Sequence, residues 1–325
     1  MSHPYERLSP DLILDAIEAR GFETDGSLLA LNSYENRVLQ VGVEDNPPLI
    51  AKFYRPDRWA DEAIQEDHSF SLELAAQEIP VVPPLLDSSG DSLFRHQGFR
   101  FALYPRQGGR SPNLEDPDNL QWIGRFIGRI HAVGAAQPFR HRENLTPRTL
   151  GWSALEYLQD SEFLAADVRT SYLALCRELL EAIDDLFQQQ EIRNIRLHGD
   201  CHPGNILWTD DGPHFVDMDD CRNGPAIQDL WMLLSGDRQE MTLQLSELLE
   251  GYRMFHDFDS RELALIEPLR SLRLIHYSAW LARRWDDPAF PRAFPWFGDS
   301  AYWQEQFTIL QQQREMLKQQ PLMLF

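Results

Sequence analysis

Leu197-His198-Gly199-Asp200-Cys201-His202-Pro203-Gly204-Asn205, followed by Phe215-Val216-Asp217, is the stretch on which the reading of this chain turns. Asp200 and Asn205 stand five residues apart, and Asp217 follows twelve residues after Asn205. Between them the apolar run Ile206-Leu207-Trp208 reaches a turn at Asp210-Asp211-Gly212, and a second run ends at Asp217. The pattern predicts a loop feeding a β-hairpin whose two ends return to one place. Such a loop offers one carboxylate, that of Asp200, to a substrate hydroxyl, while Asn205 and Asp217 hold Mg²⁺ on nucleotide phosphates. The expected chemistry is metal-assisted phosphoryl transfer.

Upstream, Ser9-Pro10-Asp11 before Leu12, Ile13, Ala16 and Ile17 reads as a capped helix stopped by Gly21. Residues 28–55 alternate as strands do, with a run to Val43 turned by Asp45-Asn46-Pro47-Pro48 into Leu49-Ile50-Ala51-Lys52-Phe53. Residues 59–78 are helical in pattern, and 93–103 read as a hairpin around Gln97-Gly98. After Tyr104-Pro105 the chain turns to a Gly-rich loop, and from Asp118 onward most elements other than the hairpin read as helices. Gly124 and Gly128, one turn apart, suit close packing of a buried helix, whereas the Gln runs at 188–190 and 311–313 read as helix surface. The expected fold class is therefore α+β and bilobal. Residues 1–105 form a small antiparallel β-sheet lobe with one crossing helix, and 106–325 a larger, mainly helical lobe.

Composition bounds the function. A chain of 325 residues, 43% hydrophobic, with nine Trp and eighteen Phe, can bury a substantial core and is not disordered. Thirty basic against fifty-one acidic residues give a net charge of −21, which argues against nucleic acid or an anionic membrane as partner. ATP is not excluded, because bound Mg²⁺ and a local lysine set the potential around the phosphates. The N-terminal Met1-Ser2-His3-Pro4-Tyr5-Glu6-Arg7 shows no leader pattern, and no run is apolar over the ~20 residues a membrane span needs. Three cysteines fit a reducing compartment, so a cytoplasmic protein is expected. Cys201 and Cys221, close to the proposed site in sequence, read first as buried thiols and second as redox-sensitive ones. No coiled-coil heptad suggests assembly, and a monomer is expected.

The motif resembles the catalytic loop of the aminoglycoside phosphotransferase and choline kinase branch of the protein-kinase-like superfamily. That branch writes His-Gly-Asp where most protein kinases write His-Arg-Asp, with the kinase spacing from Asp to Asn. Leu31-Asn32-Ser33-Tyr34-Glu35-Asn36-Arg37-Val38, Ala51-Lys52-Phe53-Tyr54-Arg55-Pro56, Asn223-Gly224-Pro225, Gln228-Asp229-Leu230-Trp231 and Asp287-Pro288-Ala289-Phe290-Pro291 resemble, nearly end to end, the bacterial stress response kinase A family. The resemblance implies a bilobal protein-kinase-like fold and an ATP- and Mg²⁺-dependent cytoplasmic Ser/Thr protein kinase of a stress response.

Carried onto this sequence, the resemblance makes Asp200 the base that takes the acceptor proton. Asn205 ligates Mg²⁺ through its amide oxygen, and Asp217 bridges the metal to the phosphates. Lys52, ending a mostly apolar strand, needs a partner for its charge. The α- and β-phosphates and Glu66 on the next helix would supply one, with Glu62 the fallback; a solvated edge-strand lysine is the plainer alternative. No Gly-x-Gly-x-x-Gly and no Walker A sequence occurs, so the cover over the phosphates must be a hairpin. There Ser33 would contact ATP, and residues 101–105 would be the hinge that meets adenine. Asp217-Met218-Asp219-Asp220 stands where protein kinases carry Asp-Phe-Gly, which puts the in/out switch of that segment in doubt. Asp219 is either a further oxygen near the metal or an exposed acid. His198 is expected to position the loop backbone, and His202 either touches the transferring group or bonds within the turn. Asp229 is expected to brace the catalytic loop. The stripe Arg270, Arg273, Tyr277, Trp280 and Arg284 reads first as pairing with nearby acids and second as a receiver of acidic substrate.

Three other readings stand beside the protein kinase. A kinase of a small alcohol or amino alcohol, such as choline, homoserine or an aminoglycoside, keeps the chemistry and changes the acceptor. A metallohydrolase would use His198, Asp200 and His202 as ligands, but the Gly-Asn-His element that accompanies such a pair is missing. A nucleotide-binding scaffold would not need Lys52, Asp200, Asn205 and Asp217 together.

Overall fold

The computed structural model describes residues 4–324, so the part of the leader reading that rests on Met1, Ser2 and His3 lies outside the described residues. Among those described, no helix is long and apolar enough to cross a membrane. In chain order the elements begin with α1 (Pro10–Glu18), β1 (Thr24–Ala30), β2 (Arg37–Val43), β3 (Asn46–Phe53), α2 (Asp61–Ala76), β4 (Phe94–His96) and β5 (Phe99–Pro105). There follow α3 (Pro117–Gly134), α4 (Ser153–Asp160), α5 (Arg169–Gln189), β6 (Ile195–Leu197), β7 (Ile206–Thr209), β8 (Gly212–Phe215) and β9 (Arg222–Gly224). Helices α6 (Gln228–Trp231), α7 (Arg238–Tyr252), α8 (Ile266–Arg283), α9 (Ala289–Ala293) and α10 (Ser300–Met316) complete the chain. The fold is α+β, as expected: a five-stranded antiparallel sheet in the order β1-β2-β3-β5-β4 and a mainly helical remainder.

The chain divides into two compact units. The first comprises Met1–Asn113, Arg140–Arg142 and Pro203–Cys221; the second comprises Leu114–Phe139, Glu143–His202 and Arg222–Phe325.

In the first unit the sheet pairs Lys52 with Val38 on one side and Ala102 on the other, so the lysine sits on a central strand. Ser9 caps α1 by accepting from the Leu12 N–H at 3.2 Å, and the helix buries Leu12, Ile13, Ala16 and Ile17. These pack with Val41, Phe53 and Phe101 into one apolar core. The hairpin between β4 and β5 turns on Gln97 and Gly98, both with positive φ (45° and 89°), which suits the right-handed twist of its strands. Strands β7 and β8 pair antiparallel, and the Phe215 N–H donates to Pro80 O at 2.8 Å.

In the second unit α3 and α7 touch through glycines. A Cβ on Gly124 would lie 2.0 Å from Leu248 O, and one on Gly251 2.0 Å from Gln121 O. The close packing expected of Gly124 is thus real, and its partner is α7. Leu155, Tyr172, Leu179, Leu272, Phe290 and Trp303 gather into the main core. Gln313 departs from the surface reading: it is 9% exposed, and its Oε1 accepts from Ser271 Oγ at 3.2 Å. A short antiparallel ribbon pairs β6, which precedes residues 198–205, with β9.

Candidate active site

The first unit holds a buried cluster of charge. Lys52 Nζ donates to Asp217 Oδ1 at 2.6 Å and stands 3.9 Å from Asp219 Oδ1. Burial favours loss of the lysine proton, but the two carboxylates outweigh it and hold its pKa well above the ordinary value. Asp217 takes the left-handed conformation (φ 61°, ψ 63°), a region that favours glycine and that Asp tolerates better than most. This turn leaves the Asp217 side chain 48% exposed beyond its lysine contact.

The β7–β8 pairing brings the two expected metal-holding residues to the open end of one hairpin. Ile206 lies opposite Phe215, and the Val216 N–H donates to Asn205 O at 3.0 Å. An amide oxygen and a carboxylate are hard donors, the set a hard divalent cation prefers. Nearby, Asp219 Oδ1 is buried without a hydrogen-bond partner. These donors fit a divalent ion. Among the described residues no group of three His, Cys, Asp or Glu is arranged to hold a metal, so His198, Asp200 and His202 do not form a ligand set.

Asp219 is buried at 4% exposure, not an exposed acid. Asn36 Nδ2 donates to its Oδ2 at 2.8 Å, Arg58 Nη1 donates to the same oxygen, and Arg58 Nη2 reaches Asp220 Oδ1 at 2.8 Å. Burial alone would raise its pKa, but Lys52 and Arg58 hold it below the ordinary value. Asn36 Oδ1 also accepts the Arg55 N–H at 3.0 Å, which pins the segment carrying Ser33 to Asp219. Ser33 itself is half-buried between β1 and β2, with its N–H on Leu31 O at 2.9 Å.

Glu66 does not meet Lys52. Its carboxylate accepts the backbone N–H groups of Arg140, His141 and Arg142 at 2.7, 2.8 and 3.1 Å. Three donors satisfy that carboxylate, and Lys52 has Asp217 and Asp219 instead. Arg142 then links α2 to the acidic turn, donating to Ala63 O at 2.8 Å and to Asp219 O at 2.6 Å. One residue along α2, Asp67 lies buried, 3.5 Å from Arg142 Nη2. Burial raises its pKa to about 6, against the pull of Arg142 and Lys52.

The second unit holds Asp200. The His198 and Gly199 N–H groups donate to Asp229 Oδ2 and Oδ1 at 2.7 and 2.8 Å, and Gln228 Nε2 donates to Gly199 O at 2.9 Å. Gly199 adopts φ 86°, which a side chain would strain. Asp229 Oδ2 is also 2.9 Å from His131 Nε2, whose Nδ1 is 3.0 Å from the Tyr252 hydroxyl. Burial would raise the Asp229 pKa, but the His131 contacts hold it below the ordinary range. Asp229 therefore braces the loop, and His198, 1% exposed with Nδ1 3.4 Å from the Asp200 N–H, positions it.

Asp200 Oδ1 receives a hydrogen bond from Arg273 Nη1 at 2.6 Å, and its Oδ2 lies 3.6 Å from His202 Nε2. The rest of the α8 stripe is largely committed elsewhere: Arg270 Nε is 3.3 Å from Glu267, and Tyr277 stacks on Trp280 at 5.7 Å. Cys201 and Cys221 are both buried, and burial, followed by the charges of Asp229 and Asp200, pushes the Cys201 thiol well up, so nothing favours its thiolate. Sequence reasoning did not single out Arg58, Asp67 or Arg142. Their partners lie dozens of residues away, and no local spacing announces them.

Residues 27–266 match the phosphotransferase enzyme family. Stress response kinase A of Salmonella choleraesuis is 43% identical over 320 residues, covering 98% of this chain and 97% of the relative. The serine/threonine protein kinase RdoA of Salmonella typhimurium is likewise 43% identical, over 98% of this chain and 97% of its own. Among solved structures, amicoumacin kinase hAmiN in complex with AMP-PNP, Ca²⁺ and Ami aligns with a TM-score of 0.72 at 20% identity, covering 97% of this chain and 96% of that one. A microcompartment-associated aminopropanol kinase aligns with a TM-score of 0.73 at 17% identity, covering 95% and 98%. These two likenesses show a shared fold.

Proposed function

Since the chain belongs to the phosphotransferase enzyme family and is a kinase that passes a phosphoryl group to a hydroxyl, we propose that its acceptor is a serine or threonine of a protein and its donor ATP with Mg²⁺. The observation that carries the chemistry is the Lys52–Asp217 pair at the end of the β7–β8 hairpin, directly downstream of a braced Asp200 loop. The end-to-end likeness to relatives named stress response kinase A and serine/threonine protein kinase supports the protein acceptor.

In this reading Asp200 accepts a hydrogen bond from the acceptor hydroxyl and takes its proton as transfer completes. The acceptor oxygen forms a bond to the γ-phosphorus, the bond from that phosphorus to the β–γ bridging oxygen breaks, and ADP leaves. Lys52, held by Asp217, presents its charge to the α- and β-phosphates, and Ser33 lies in the segment that would cover them. Asn205 and Asp217 would hold the divalent cation, which neutralises phosphate charge when bound. Glu66 anchors residues 140–142 beneath α2 and is not assigned to the nucleotide. The expected compartment is the cytoplasm.

A second reading keeps this chemistry with a small alcohol as acceptor, favoured by fold neighbours named for amicoumacin and aminopropanol. Transfer from γ-labelled ATP distinguishes the two, using a Ser/Thr protein mixture beside choline, homoserine and aminoglycosides. Label on Ser/Thr that falls by roughly 10²-fold or more in Asp200→Asn is the expected result. Label on a small alcohol alone would overturn the protein acceptor.

A further inference from the structure

The contact between Arg273 and Asp200 is an unusual companion for a base. For a hydroxyl to bond Asp200 Oδ1, the guanidinium that now occupies this oxygen at 2.6 Å must share it or leave. The arginine is placed to leave. Its side chain is 48% exposed, and among the described residues Asp200 is its one hydrogen-bond or ion-pair partner. A half-exposed ion pair is cheap to break. A guanidinium has five N–H donors in a fork that matches a carboxylate or phosphate, and here one is in use. The neighbours in the stripe do not duplicate it, since Arg270 is held by Glu267 and lies 5.2 Å over the Trp231 ring, and Arg284 lies over Trp280. A positive group beside the base also runs against the −21 of the whole chain.

We propose that Arg273 is the residue that sets acceptor specificity, exchanging Asp200 for a carboxylate or phosphate on the acceptor. This rests on the reading of Asp200 as the base. A hydroxyl bonded to Asp200 at about 2.7 Å would lie about 5 Å from the guanidinium, so the anionic group belongs on the residue next to the phosphorylated Ser/Thr or one further on. The anion draws Arg273 off this oxygen, and Asp200 Oδ1 then accepts the hydroxyl proton as the γ-phosphoryl group moves from ATP to the acceptor oxygen and ADP departs. A cationic acceptor meets a like charge at the base and gains nothing.

The test is steady-state transfer from ATP to matched Ser peptides whose flanking residue is Asp, phosphoserine, Ala or Lys, using wild type, R273K, R273A and R273E. Wild type is expected to favour the Asp and phosphoserine peptides over the Lys peptide by tenfold or more in kcat/KM, chiefly through KM. R273A should erase that preference, R273E should invert it, and R273K should restore part of it. A preference for phosphoserine over Asp would name phosphate as the anion, and the reverse would name carboxylate; either supports the exchange. If R273A lowers kcat equally for every peptide, or leaves the preference intact, Arg273 merely holds the loop and the proposal fails. If no peptide is phosphorylated but a small alcohol is, the protein acceptor falls, and glycerate against choline tests Arg273 by the same criterion. Absence of transfer to any acceptor would overturn the kinase reading itself.

Discussion

Asp229 gathers two backbone N–H groups and one imidazole on a single buried carboxylate, and the shape of the Asp200 loop depends on it. Asp229→Ala would leave the His198 and Gly199 donors buried and unpaired, at a cost of about 2–5 kcal/mol in stability. The misplaced loop should also cost roughly 10²-fold in kcat. Denaturant unfolding and single-turnover transfer check the two effects separately, and full activity in a destabilised variant would sink the bracing role. The same scale shows why some residues were legible in the sequence and others were not. Asp200, Asn205 and Asp217 sit at fixed intervals on one loop and hairpin, so spacing alone singles them out as candidates. Glu66 lies on a helix, where a shift of one residue turns a side chain by about 100°. Its partners at 140–142 are more than seventy residues away, so sequence could not reveal that it serves a backbone turn.

At the scale of elements, the four-residue helix α6 carries both Gln228 and Asp229, and a helix so short needs outside support. Glu262, in a 3₁₀ turn 35 residues on, supplies it by accepting the Ile227 N–H at 2.8 Å. Burial raises the Glu262 pKa from 4.5 to about 7, the Ile227 N–H offsetting only part of the rise. The folded state therefore binds this proton more tightly than the unfolded chain. Its contribution is fully present below pH 4.5 and is lost as pH rises through about 7. Glu262→Gln keeps an oxygen for Ile227 and removes the titration. The variant should be more stable than wild type above pH 8 by about 2–3 kcal/mol, with the difference shrinking toward pH 4. Melting temperatures across that range decide it, and parallel curves would show that Glu262 does not titrate this way. Elements such as α1, with its Ser9 cap, were readable from local chemistry. The ribbon of β6 and β9 was not, because strands of three residues are too short to show alternation.

For the molecule as a whole, the first unit is not contiguous in sequence, and this governs its stability. Residues up to Asn113 form the five-stranded sheet and its apolar core, but the unit also includes Pro203–Cys221. That later segment supplies Phe215, fully buried with its N–H on Pro80 O, and the carboxylates that face Lys52 and Arg58. A fragment ending at Asn113 would leave Lys52 without Asp217 and Asp219, and Arg58 without Asp219 and Asp220 but still 3.6 Å from Glu35. Removing one partner of a buried ion pair costs about 3–5 kcal/mol, a large share of the roughly 5–15 kcal/mol that stabilises a typical domain. The loss at Lys52, the weakened pairing of Arg58 and the apolar surface that Phe215 no longer covers should together leave residues 1–113 without a cooperative fold. Lys52→Met in that fragment should recover part of the loss, because the charge that has lost both its ion-pair partners goes while much of the side-chain volume stays. Circular dichroism during heating reads the outcome. A sharp transition in the unmodified fragment would mean that the sheet and its core suffice and that the buried charges facing the hairpin add little to the fold.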